Sequence, residues 1–400
     1  MALTAGDELG PYEILGVIGA KGMSARTACA AAAVLAVLLL AGCNPPADAP
    51  LWPGSKYTEG DRSKALMRAI EYLNRSAHDP QHFAAHGSDY LYCFYSIATV
   101  ARDSALRTAA ERMGREYAKQ WAYASSKIPA NATADDSADL VYGWYSASRL
   151  GQSDDIIKPE LRRAAARFSA IDYLLFDPAK EPPPSDIPAK CQYDSVLNRR
   201  GATVCKRCGR TLEMQSKYGI WLDALVTTHS GDSYGIRLGS SYRDVLQWIP
   251  AMRPYLDRSQ TSKSNFIQTV YALTHVVYTL NDYDRYRLPR ELLPSEYAYL
   301  KRNLMEAIEL RDPEVTGEFL DSLESFGLTD SDEAIRAGKT YLLSTQRTDG
   351  TWSDPEEMDP YTLYHSAWTG IGGLMEMRWQ GEGISFPELR PMLEAIRQAN

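Results

Sequence analysis

Three things are scarce in this sequence, and each scarcity excludes something. Basic charge is the first: 43 Lys and Arg stand against 51 Asp and Glu, a net charge of −8. No basic run of the kind that grips phosphate backbones occurs, which argues against nucleic acid as a partner. Long apolar runs are the second. The run from Cys29 to Gly42 covers 14 residues, short of the roughly 20 that cross a bilayer as a helix. Cysteine is the third, with six in 400 residues. One pair is spaced C-x-x-C (Cys205, Cys208), but no strand–helix–strand pattern surrounds it, which argues against a thiol oxidoreductase site. What remains is ordinary globular material, 44% hydrophobic and long enough for a large core, with an unusual 25 tyrosines.

The N-terminal part divides into short pieces. Leu9-Gly10-Pro11-Tyr12-Glu13-Ile14 and Ile18-Gly19-Ala20 resemble the opening of a bacterial Ser/Thr protein kinase. No H-R-D or D-F-G follows, so no kinase can be built. Residues 1–22 therefore read as a start-site or fusion artefact, with Met23 as the real start. From Met23, Arg26 supplies a positive segment and Ala30 to Leu40 an apolar one, as in a signal peptide over residues 23–42. Leu40-Ala41-Gly42-Cys43 resembles the lipobox of bacterial lipoproteins. That resemblance implies cleavage before Cys43, lipidation of Cys43, and an exported protein held at the membrane of the bacterial cell envelope. The Pro-rich stretch to Pro53 reads as a tether, and residues 54–400 as the folded domain.

That domain carries a repeat. Aromatic-centred apolar segments align on Tyr92, Tyr142, Trp221, Tyr271, Asp321 and Tyr364, at intervals of 50, 79, 50, 50 and 43 residues. The long interval is a period of 50 plus an excess of 29, which an insertion over 181–213 accounts for. Outer-helix candidates precede the units at 62–77, 105–122, 158–175, 242–256, 295–310 and 332–345. In the last unit Gln346, Asp349, Gly350 and Trp352 form a Gln-x-x-Asp-Gly-x-aromatic turn. It resembles the repeat turn of the terpenoid cyclase and protein prenyltransferase superfamily. The resemblance implies an all-α (α/α)6 toroid of six inner and six outer helices. An open helical solenoid is the alternative.

The insertion opens on a Pro-rich break and holds Cys191-x-x-Asp194 and Cys205-x-x-Cys208-Gly209. The two knuckles resemble a degenerate zinc ribbon, with Cys191, Asp194, Cys205 and Cys208 as ligands of structural zinc. Exported chains also form disulfides, so a Cys191–Cys205 or Cys191–Cys208 bridge is the competing reading. Because the insertion leads into the third inner helix, it is expected to overhang the funnel mouth as a lid.

Candidate chemistry follows from the repeat register. Positions −3, 0, +1 and +4 of each unit share a helix face. Asp89, Asp139, Gln268, Glu318 and Tyr361 would then form a polar ring near the inner-helix N-termini, backed by Tyr92, Tyr142 and Trp221. Asp89, Asp139, Glu318 and His365 are the candidate catalytic residues, since carboxylate pairs do acid–base work. Tyr364-His365-Ser366 resembles the Tyr-His-Thr segment of protein prenyltransferase β subunits, which implies a metal-binding histidine, but the Asp-x-Cys pair is missing. The Thr133 to Asp139 stretch resembles the acidic motif of squalene-hopene-type cyclases incompletely, and reads better as a helix cap. His82 and His86, four apart, are a weak metal pair beside Pro80, with Gly87 expected to end that segment. Three functions stay open: an enzyme acting in the funnel, on a glycan in one version; a lipid- or peptide-binding lipoprotein; and a non-catalytic envelope scaffold.

Overall fold

Short polar residues set where most of the long helices begin. Thr58, Asp79, Asp103, Thr133, Ser216, Ser262, Asp312 and Asp359 all accept a backbone N–H of the following first turn through the side chain. Such caps satisfy donors that have no partner inside the helix. Pro80, Pro313 and Pro360 stand in three of these first turns, where a missing N–H costs nothing. Thr133 and Asp136 form a reciprocal capping box, so the acidic Thr133–Asp139 stretch is a helix start.

The structure is a computed structural model described over residues 57–185, 191, 196, 198–199, 202–212, 216–354, 356–357 and 359–398. The N-terminal extension, the leader, Cys43, the tether and Asp194 lie outside the described residues. Among those described, the fold is all-α, with fifteen α-helices and no strand. They are α1 (Glu59–His78), α2 (Pro80–Val100), α3 (Ser104–Ala124), α4 (Ala134–Arg149), α5 (Ile157–Ala165) and α6 (Ala170–Leu174). After the insertion come α7 (Lys217–Tyr234), α8 (Tyr242–Leu246), α9 (Ile249–Met252), α10 (Lys263–Leu280) and α11 (Pro294–Glu309). The chain ends with α12 (Pro313–Ser325), α13 (Glu333–Thr345), α14 (Pro360–Leu374) and α15 (Arg390–Gln398).

Two expected outer helices are broken. The span 158–175 is split into α5 and α6 because Ser169 starts a new turn, capped with Asp172. The span 242–256 is split into α8 and α9, with Pro250 in the first turn of the second piece. Gly239, just ahead of α8, packs on the start of α6 at φ +74°, where a Cβ would stand 2.7 Å from the Ala170 backbone. Gly87 does not end a helix either. Helix α2 runs through it and bends at His86 (φ −132°, ψ 22°), while Gly87 leaves room for the Trp121 ring.

Helix α2 packs on α4, α4 on α7, α7 on α10, α10 on α12 and α12 on α14; α14 in turn packs on α1 and α2. One continuous apolar core runs through these contacts, and a small second cluster of Cys191, Cys205 and Leu212 sits in the insertion. The Gln346–Trp352 turn ties the last helices to the first. Gln346 Nε2 donates to the Ala65 and Gly350 carbonyls, and Trp352 Nε1 donates to the Leu342 carbonyl at 2.7 Å. Gly350 adopts φ +103°, and a Cβ there would lie 2.3 Å from the Arg68 carbonyl oxygen. Beside it, buried Lys339 bonds Glu324 at 2.6 Å and Asp330 at 2.7 Å, and buried Arg62 bonds Glu376 at 2.7 Å and pairs with Glu59.

Candidate functional site

Inside the helices that succeed one another from α2 to α14 lies a cavity holding about 870 Å³ of non-atom space, part of it open to solvent. Asp89, Asp139 and Asp223 reach it from α2, α4 and α7. Tyr142, Tyr361, Tyr364 and Trp368 give it aromatic walls, and His275 and His365 reach it from α10 and α14. Tyr361 stacks on His365 with ring centroids 5.2 Å apart, which fixes the imidazole plane.

The acids are held by local bonds. Asp89 Oδ2 accepts from Tyr364 Oη at 2.8 Å, and Asp139 Oδ1 accepts from Ser88 Oγ. Burial pushes the Asp89 carboxyl up to about 7, against the lowering effect of the Tyr364 bond. Burial alone pushes Asp223 up to about 7. Both therefore hold a proton through most of the acidic range, because desolvation penalises the charged form.

Deeper in, α12 presents Glu314 and Glu318 one turn apart on one face. Glu314 Oε1 accepts from Tyr271 Oη at 2.9 Å and lies 3.0 Å from His365 Nδ1. Burial would raise Glu314, but the His365 imidazolium and the bonds from His365 and Tyr271 hold it below its usual range. Burial works against charge on His365 too, and Glu314 more than offsets it, raising the imidazole. The two form a buried ion pair. Glu318 accepts from Thr274 Oγ1 and lies 3.8 Å from His275 Nδ1, and burial pushes it up to about 8 against the lowering effect of His365. His275 Nδ1 lies 2.8 Å from the Tyr271 carbonyl, which can only accept, so Nδ1 carries the proton and Nε2 keeps a lone pair. Burial lowers this imidazole to about 4. Glu314, Glu318 and His365 each bring one ligand atom within 4.8 Å of the others, a group that can hold a metal ion.

A second cavity, about 530 Å³ of non-atom space, adjoins the first and shares His275, Tyr283, His365 and Trp368 with it. Tyr283 is carried there by an unusual turn. Asp282, Tyr283 and Asp284 take φ of 56°, 47° and 68°, three successive left-handed residues without a glycine. Each costs about 1–2 kcal/mol in an L-residue. Asn281 holds the turn, accepting from the Asp284 N–H through Oδ1 and from the Tyr286 N–H through its carbonyl. The result is a tyrosine ring packed on Tyr92 at 4.7 Å, standing between the two cavities.

The expected ring residues divide among these places. Asp89, Asp139, Tyr142, Tyr361 and His365 line the first cavity. Glu318 lines the second, alongside His365. Tyr92 is buried behind Tyr142 and stacks on it at 4.7 Å. Gln268 is buried with no partner for Oε1 and lines neither cavity. Trp221 is fully buried and points outward, its Nε1 donating to the Val245 carbonyl at 3.1 Å. Asp223, Glu314, His275 and Tyr283 were not among the expected site residues. The spacing of Glu314 and Glu318 was a usable signal, whereas Tyr283 sits in a loop beyond the repeat and gave none.

In the insertion, Cys191, Cys205 and Cys208 bring their sulfurs within 4.8 Å of one another and form a possible metal-binding group. Cys191 Sγ and Cys208 Sγ are 3.5 Å apart, and no disulfide joins these cysteines. The Arg207 N–H points at Cys205 Sγ at 3.4 Å, and Gly209 turns the chain at φ +71°. Burial raises the Cys205 thiol, but the N–H groups of Cys208 and Arg207 pull it below its ordinary value. No described insertion residue lines either cavity.

Comparison with protein families, with curated proteins and with solved structures finds no significant match to this chain.

Proposed function

We propose that this chain is a lipid-anchored protein of the bacterial cell envelope. In this reading its helices close into an (α/α)6 toroid, and the central cavity binds and processes a hydroxyl-rich ligand such as a glycan. The order of helix contacts supports closure, since α14 packs on both α1 and α2. The observation that carries the ligand reading is the lining of the first cavity: three carboxyls set among five aromatic rings, with no Lys or Arg. Sugars stack on aromatic faces and hydrogen-bond to acids, and carboxyl pairs cleave glycosidic bonds. A purely apolar cavity would have favoured lipid, and a filled one a scaffold. Asp89 keeps its proton close to neutral pH and is suited to protonate a leaving oxygen. Asp139 is the carboxylate proposed to activate water or attack. The test is binding and turnover of a panel of envelope glycans by the soluble domain. Asp139→Asn should abolish turnover while leaving the fold intact. No glycan bound by the wild type would overturn the reading.

The anchor rests on Leu40-Ala41-Gly42-Cys43, and Cys43→Ser should release the protein from membranes. For the insertion, zinc is the reading the sulfur geometry supports. At Zn–S bonds of about 2.3 Å, tetrahedral sulfurs stand roughly 3.8 Å apart, close to the Cys191–Cys208 distance of 3.5 Å. Bound there, zinc would supply a structural cross-link through Cys191, Cys205 and Cys208, with Asp194 as the proposed fourth ligand. Metal analysis with thiol counting tests it: stoichiometric zinc and three thiols released by chelation support it, and a protected thiol pair overturns it.

A further inference from the structure

The second cavity differs from the first in its acids. Glu318, Asp284 and Asp321 line it, and again no Lys or Arg does. Asp284 Oδ1 accepts from Asn281 Nδ2 at 3.2 Å and from Ser325 Oγ at 3.1 Å. Asp321 is less well served. Its residue is only 7% exposed, yet its Oδ1 has no hydrogen-bond partner. A buried acceptor left unbonded costs about 1–3 kcal/mol, more if charged. The other oxygen is packed against Gly372, where a Cβ would stand 2.6 Å from Asp321 Oδ2, and both residues line the cavity. Tyr278, Tyr283 and Trp368 supply aromatic walls around the same space.

Two simple occupants fit poorly. A metal ion needs several ligand atoms converging on one point at about 2.0–2.6 Å. Glu318, Asp284 and Asp321 do not bring one oxygen each within 4.8 Å of the others, unlike the Glu314, Glu318 and His365 group. A sugar hydroxyl brings no charge to Asp321 Oδ1, which has no donor, whereas Asp89 and Asp139 in the first cavity already accept from hydroxyls. An organic ammonium answers each feature. Its N–H groups reach 2.7–3.2 Å to separate oxygens, its charge offsets the acids, and aromatic faces attract cations. A quaternary ammonium has no N–H to give Asp321, which favours a primary amine.

We propose that the second cavity is a binding site for the primary ammonium group of a small aliphatic amine, held by Asp321, Asp284 and Glu318 between Tyr278, Tyr283 and Trp368. The site stands on different acids from the glycan reading of the first cavity. Burial raises Asp284, against hydrogen bonds from Asp321, Asn281 and Ser325 that lower it, and burial with the Asp284 charge raises Asp321, so without a cation the pair must retain a proton. That makes Asn a close substitute for Asp321 in the unliganded fold.

The experiment is a calorimetric titration of the soluble domain with butylammonium chloride, with 1-butanol as the neutral isostere and tetramethylammonium as the donor-free cation. Saturable binding of butylammonium at one site, with at least tenfold weaker binding of the other two, is expected. Asp321→Asn and Asp284→Asn should each weaken butylammonium at least tenfold, with thermal unfolding as the check on folding. Equal binding of 1-butanol, or unchanged affinity in both folded variants, would overturn the proposal. Asp139→Asn should leave amine binding unchanged. Loss of the amine site with glycan binding intact would defeat this inference alone, and the converse would defeat only the glycan reading.

Discussion

Two of the regions that bury charge in this molecule treat it in opposite ways. Where the first and last helices meet, every buried cation has carboxylates in reach: Lys339 with Glu324 and Asp330, Arg62 with Glu59 and Glu376. In the interior between α2 and α14, Asp89, Asp223, Glu318 and Asp321 have no Lys or Arg beside them in either cavity. The paired region has the chemistry of a structural joint, since a buried ion is tolerated when its partner is fixed. The interior acids without such a partner lower stability at neutral pH, because burial disfavours their charged form. Buried acids that structure alone does not require are where a ligand is expected.

The largest effect expected from breaking this contrast is at the joint. Lys339→Ala leaves Glu324 facing a buried gap, while half-exposed Asp330 keeps its bond from Tyr57, and should cost about 3–5 kcal/mol, read as a shift of the urea unfolding midpoint. A cost below 1 kcal/mol would mean that the joint is not a joint. Next comes packing at the same place. A Cβ on Gly370 would stand 2.3 Å from the Trp352 ring, so Gly370→Ala should cost about 1–3 kcal/mol.

The interior should respond with the opposite sign. Asp223 titrates near 7 in the fold and near 3.8 when unfolded, so the folded state binds more protons between those values. Its contribution to stability is complete below pH 4 and is lost as pH rises through 7. Asp223→Asn should therefore match the wild type at pH 4 and exceed it at pH 7 and above, by roughly 1 kcal/mol or more. His229 and His275, each lowered to about 4 by burial, pull the other way below pH 6.5 in both proteins and cancel from the comparison. Unfolding of wild type and variant across pH 4–8 measures the difference; a gap that narrows with rising pH would refute it. The smallest effect is at the α4 cap, where Thr133→Ala should cost about 1 kcal/mol without touching ligand binding.

Much of the architecture was legible because it repeats. The interval of 50 residues located all six helices from α2 to α14 that succeed one another in contact, and the excess at 181–213 marked the insertion. Helix starts at Thr133 and Pro360 were readable from cap chemistry. The breaks in the third and fourth expected outer helices were missed, although Ser169 with Asp172 and Pro250 mark them locally. The site was legible where acids stood in register: Asp89, Asp139 and Tyr361 share a cavity with Tyr142 and His365. Trp221 stood in register and points outward, since the face a residue presents also depends on how its helix is rotated. Asp223 and Glu314 fell at other positions of the repeat, and Tyr283 arrives through a left-handed turn that no periodicity announces.

The Gln346–Trp352 turn also bears on how the chain reaches its fold. Gln346 bonds the carbonyl of a residue 281 positions earlier, and Arg75 bonds the Asp349 carbonyl across 274. Contacts between neighbouring helices can form as soon as two helices exist; these cannot form until nearly the whole chain is present. Closing so long a loop is slow relative to local pairing. The open edges of α1 and α14 are thus the last apolar surfaces to be covered. A chain stopped before residue 346 would hold most of its helices but lack α14, leaving exposed the faces of α1 and α12 that α14 covers, which makes the segment from Gln346 onward the one that guards against aggregation.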